Sequence, residues 1–155
     1  MRWIVIGGLL AGLLDISFAC IYWAIARDVS PQRIFQSVAA GLMGKDAFKG
    51  GWGSASLGLG LYFLMTLAMA AAYYAASLRI PALWRKPLVW GSAYGLFLYA
   101  LMNFVVVPLS RASGSGPRND LWTWLGVAAH VVLVGIPIAL SIRKAVHVED
   151  REPRP

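Results

Sequence analysis

Four apolar runs, each longer than the roughly 20 residues that cross a bilayer core, leave this chain few folds to choose from. They cover 3–26, 54–78, 88–109 and 121–142. A backbone in hydrocarbon must satisfy its own N–H and C=O groups, and a continuous run of this kind does so as an α-helix. Composition agrees: 59% of the residues are hydrophobic and 14% charged, against about 45–50% and 25% in a soluble domain. Too few charges are present to cover a water-facing surface. The expected fold is all-α, a bundle of four transmembrane helices in a single domain over 1–144, with lipid bilayer as its surroundings.

All seven tryptophans, Trp3, Trp23, Trp52, Trp84, Trp90, Trp122 and Trp124, fall at or near run ends. The amphipathic indole favours the headgroup zone, so the pattern reads as aromatic belts at both interfaces. The first run also has the outline of a secretory leader, with Arg2 before it and Ser17-Phe18-Ala19-Cys20 resembling a lipoprotein cleavage site. Asp15 interrupts its apolar core, the run continues past Cys20, and Ser17 stands where such sites carry leucine, so the expectation is a retained helix.

The net charge of +7 does not form a nucleic-acid surface. Its Lys and Arg residues are scattered at run ends, where they flank membrane helices and meet lipid headgroups. One side carries Arg2, Arg79, Arg85, Lys86, Arg143, Lys144, Arg151 and Arg154, the other Arg27, Arg33, Lys45, Lys49, Arg111 and Arg118. The compact loop from Arg79 to Lys86 places both termini in the cytoplasm under the positive-inside rule, in a bacterial inner membrane.

Between the first two runs, Ser30-Pro31 reads as an N-cap followed by proline at the first helical position. Ile34, Phe35, Val38 and Leu42 then recur at helical spacing against Gln32, Arg33, Gln36 and Ser37. The spacing predicts an amphipathic interfacial helix over 31–43; a re-entrant segment and a cover over the bundle mouth are the alternatives. Gly44-Lys45-Asp46 lacks the spacing and the Ser or Thr of a phosphate-binding loop. The third connection, 110–120, has linker composition, and 145–155 reads as a disordered charged tail.

Inside the runs, small residues mark where helices meet. Gly8 and Gly12 form one such step, with Asp15 three residues on; Gly91 and Gly95 form another, with Asn103 further along. His130 follows Gly126 by four, and the second run offers Ser56 and Gly60 and the row Ala68, Ala72 and Ala76. Asp15, Asn103 and His130 are therefore expected on packed faces. Asp15, His130 and Thr66 lie near the centres of their runs, so an Asp15–His130 contact is geometrically open, with Asn103 or Thr66 as a further partner.

A centred aspartate costs about 2.5–3.5 kcal/mol on insertion scales, and pairing, protonation or hydration each lower that cost. Such residues often belong to proton or ion paths, but an Asp and a His can equally tie two helices together. Enzyme chemistry has little support. Two distant histidines and one cysteine do not close a metal site, no serine stands out as a nucleophile, and no cofactor is indicated. The leading expectation is a non-enzymatic membrane subunit that assembles with itself or a membrane partner through its small-residue faces. The alternative is an oligomeric small transporter or channel with a proton or cation site at Asp15 and His130. A third is a binder of a lipid or quinone-like molecule near Tyr94 and Tyr99.

The pattern Gly7-Gly8-x-x-Ala11-Gly12-x-x-Asp15, then Ser30-Pro31-x-Arg33-x-x-Gln36-Ser37 and Ala39-x-Gly41-Leu42-x-Gly44, resembles small uncharacterised bacterial four-helix membrane proteins. Met102-Asn103 with Val105 to Ser110, and Ala129-His130 with Leu133 to Ala139, look like later parts of it. The group resembles, loosely, the YagU-like inner-membrane proteins. The resemblance implies the four-helix fold and the inner-membrane location and brings no activity with it. Tyr62 stands where a histidine is associated with such proteins, a departure that puts a shared second-helix metal or proton site in doubt.

Overall fold

The computed structural model describes residues 1–112 and 120–149. Among these residues six α-helices follow in order: α1 (Arg2–Arg27), α2 (Pro31–Met43), α3 (Gly51–Ser77), the short α4 (Ala82–Arg85), α5 (Pro87–Leu109) and α6, from Asp120 to Glu149. Four of them, α1, α3, α5 and α6, are long and apolar enough to span a membrane, and they pack as the expected bundle. The last helix runs on through Glu149 with Ala145 buried, so the tail expected to be disordered from 145 begins as helix. Residues 150–155, and most of the linker expected at 110–120, lie outside the described residues.

Glycines set the helix contacts, because without a Cβ two backbones come within van der Waals range. On α1, a Cβ at Gly8 would lie 2.9 Å from Leu67 Cα of α3, and one at Gly12 would lie 2.8 Å from Thr66 Oγ1. Gly7 turns the same helix toward α6, where its Cβ would meet Ser141 Cβ at 2.8 Å. Gly91 and Gly95 seat α5 on α6 against Ala139, Gly135 and Val131, and Gly126 takes the ring of Tyr99. The core between these contacts holds Ala11, Ala70, Tyr73, Leu98, Val134, Ile138 and Ile142.

The second run departs from the expected small-residue face. Ser56 is exposed and nothing approaches within 4 Å of a Cβ at Gly60. α3 instead packs through Ser54, Ala55 and Gly58 near its start and through Thr66, Ala70, Tyr73 and Ser77 further on. Ala68, Ala72 and Ala76 line an apolar groove of about 560 Å³ between α3 and α5. Tyr94 bridges that groove by donating to the Met69 carbonyl at 2.9 Å.

Two spans contain a wide π-turn, over Met102–Val106 in α5 and His130–Gly135 in α6. Each ends two residues before a proline, Pro108 and Pro137. A helical proline has no N–H to give and crowds the carbonyl four residues back, here Phe104 and Leu133, both inside the wide turns. Widening the turn relieves that crowding, and such turns often occur at functional sites.

α2 begins as expected, with Ser30 at the N-cap and Pro31 in the first turn. It also packs closely on α3. Its Phe35 carbonyl rests on Gly58 of α3, where any Cβ would collide with it. Gln36 is buried and donates to the Gly51 carbonyl at 3.0 Å and to Ser54 Oγ at 3.4 Å. Arg111 N donates to the Gly41 carbonyl at 3.0 Å, tying the end of α5 to the end of α2. These contacts hold the amphipathic helix expected between the first two spans against the end of the bundle where α1 finishes.

Candidate functional site

Asp15 is placed by the α1–α3 seam. The helices run antiparallel, so each step along α1 meets an earlier residue of α3: Gly8 faces Leu67, Gly12 faces Thr66 and Phe63, and Asp15 reaches Tyr62. The Tyr62 hydroxyl donates to Asp15 Oδ2. This is the partner the half-buried carboxyl finds within the span, and it is not His130. Among the described residues no hydrogen bond or ion pair joins Asp15 to His130.

His130 nevertheless belongs to the same site. It stands at the first position of the α6 π-turn, with Nδ1 3.0 Å from the Gly126 carbonyl. A carbonyl only accepts, so Nδ1 carries the proton and Nε2 is the ring's basic nitrogen. The Tyr99 ring meets the imidazole edge-on, with centroids 5.4 Å apart. Asp15, Tyr62 and His130 together line a partly enclosed cavity of about 210 Å³.

The cavity's other walls were not legible as a site. Phe18 and Trp122 stack with centroids 6.3 Å apart, and Trp23 meets Trp122 at 5.0 Å; all three line the cavity. In the sequence Trp23 and Trp122 read as belt residues, but Trp23 is only 7% exposed. Above them α2 contributes Ile34, Ser37 and Val38, positions that share one helix face.

Two of the proposed polar residues stay out. Asn103 is exposed, and its Nδ2 donates to the Tyr99 carbonyl of its own helix at 2.9 Å. The expectation followed four-residue steps from Gly91, but each step overshoots a helical turn by about 40°, so three steps leave the packed face by about 120°. Thr66 is buried under Gly12 and donates to the Phe63 carbonyl at 3.0 Å, a packing role outside the cavity. Tyr94 and Tyr99, considered together for a lipid or quinone-like ligand, do not share a pocket: Tyr94 lines the α3–α5 groove and Tyr99 faces His130. Among the described residues no group of three or more His, Cys, Asp or Glu side chains could hold a metal ion.

Tyr62 is the site residue that the small-residue spacing of the spans does not single out. Its signal was present: Gly58, Tyr62 and Thr66 recur every four residues along α3, and Thr66 was already in view.

The fold and the cavity define a multi-pass helical membrane protein with an aromatic-walled cavity that holds a carboxyl, a hydroxyl and an imidazole. The chain matches no protein-family model, no curated protein and no solved structure, so the resemblance to small four-helix membrane proteins extends to the four-span architecture and no further.

Proposed function

We propose that this protein is a non-enzymatic membrane protein that takes up a proton or cation at Asp15, as a small transporter or channel-like carrier. One observation carries the reading: the Asp15 carboxyl, the Tyr62 hydroxyl and the His130 imidazole line a single cavity beneath α2. A volume of about 210 Å³ holds several waters at about 30 Å³ each, so the carboxyl has room to be hydrated or to meet a ligand. An intramembrane acid beside a histidine is a common arrangement for moving protons.

The small-residue faces bear on the choice. Gly8, Gly12, Gly91, Gly95 and Gly126 are all covered by neighbouring helices of the same chain, so they offer no free face for assembly. A second reading, a subunit that joins itself or a membrane partner, is favoured by Ser56 and Gly60, which leave an uncovered small-residue face on α3. The bacterial inner membrane, with both termini cytoplasmic, fits the basic Arg79–Lys86 connection.

The test is flux. In proteoliposomes, wild-type protein is expected to carry protons or monovalent cations down an imposed gradient, and Asp15→Asn is expected to abolish that flux while the bundle stays folded. Wild-type vesicles no leakier than empty ones would refute the carrier reading. Disulfide cross-linking of Ser56→Cys across two copies would then support assembly instead.

A further inference from the structure

We infer that the Asp15 cavity recognises a small organic ammonium ion, a deepening that rests on the cation reading above. Among the described residues its lining contains a carboxyl group but no Lys or Arg side chain, so none of them sets a fixed positive charge against Asp15. A cationic ligand would supply one.

The chemistry of the walls then selects among cations. Hard metal ions want six or more oxygen ligands, or a rigid octahedron with retained waters. Here the oxygens come from Asp15, Tyr62 and Ser37, while Phe18, Trp23 and Trp122 present aromatic surface. Aromatic faces attract ammonium groups through the ring quadrupole, tryptophan most strongly, and aromatic cages are a recurring way of holding alkylated ammonium. An inorganic cation would have to shed tightly held water to reach the same three walls, whereas an alkylated ammonium is weakly hydrated and meets them directly.

Size narrows the class further. Sites for drug-sized ligands span roughly 300–1,000 Å³, and this one is about 210 Å³, suited to a compact amine carrying a few methyl groups. The ammonium would sit between the indoles and the Asp15 carboxyl. The Tyr62 hydroxyl and Nε2 of His130 would remain for a polar substituent.

Radiolabelled choline binding to nanodisc-reconstituted protein tests this, with 3,3-dimethyl-1-butanol as the uncharged competitor of the same shape. Saturable choline binding that the alcohol fails to displace supports the inference. Asp15→Asn and Trp122→Leu should each weaken binding about tenfold or more, and Asp46→Asn, on the exposed turn after α2, should leave it unchanged. Phe18→Leu, expected to weaken binding by a smaller factor, serves as the second wall variant if Trp122→Leu does not fold. Absence of saturable binding, equal displacement by the alcohol, or full binding in folded aromatic-wall variants would each overturn it. The two proposals fail separately: Asp15-dependent flux of protons or sodium without choline binding removes only the ammonium inference, whereas choline binding without flux removes only the carrier reading.

Discussion

Replacing Gly95 by alanine adds one methyl group at a close seam between two spans, and the structure fixes what it meets. A Cβ there would run into the His130 carbonyl oxygen and lie 2.6 Å from Val131 Cα and 2.8 Å from the His130 carbonyl carbon. Carbon atoms in contact sit about 3.5–4.0 Å apart, so α5 and α6 must part by about 1 Å. The obstacle is backbone, which cannot rotate away as a side-chain tip would. Overpacking of this kind costs about 1–3 kcal/mol. Alanine also favours a helix over glycine, by about 0.8–1.0 kcal/mol in soluble hosts, and that gain would mask part of the clash. Gly60→Ala supplies the correction, since it brings the same helix preference with nothing within 4 Å of the new atom. The difference between the two variants isolates the steric term. Unfolding in mixed micelles by SDS titration should place Gly95→Ala below Gly60→Ala by about 1–3 kcal/mol. Equal stabilities within about 0.5 kcal/mol would refute the close approach of α5 and α6, and with it the seating of His130 in the cavity wall.

Tyr62→Phe removes the donor to Asp15 and leaves the carboxyl without its protein partner, a loss of about 1–3 kcal/mol. In a double-mutant cycle with Asp15→Asn, read by thermal denaturation in detergent, the two changes should be non-additive; strictly additive effects would mean the pair does not interact. Asn103→Leu, by contrast, should change stability by no more than about 0.5 kcal/mol, because Asn103 is exposed and bonds only within its own helix. A loss above about 1 kcal/mol in the same denaturation assay would place Asn103 in an interhelical contact after all.

The amino-acid sequence by itself determined the four spans, the all-α class and the helix over 31–43, since lipid leaves a long apolar backbone no other way to satisfy its polar groups. It also marked Gly8, Gly12, Gly91, Gly95 and Gly126 as contact points, because a missing Cβ is a property of the residue and needs no neighbour to be read. Pairing was another matter. Which helix a polar face meets depends on rotation and register, and both shift with small changes along a span. The overshoot of about 40° per four-residue step carried Asn103 off its face. On α3 the packed face runs through Ser54, Ala55 and Gly58 and leaves Ser56 and Gly60 outside, although both sets are equally small. The antiparallel register of α1 on α3 gave Asp15 to Tyr62 rather than to His130. Only the tertiary structure brought Trp23 and Trp122 from the ends of two distant spans to one cavity wall, since their sequence signature is the same whether an indole faces headgroups or a neighbouring ring.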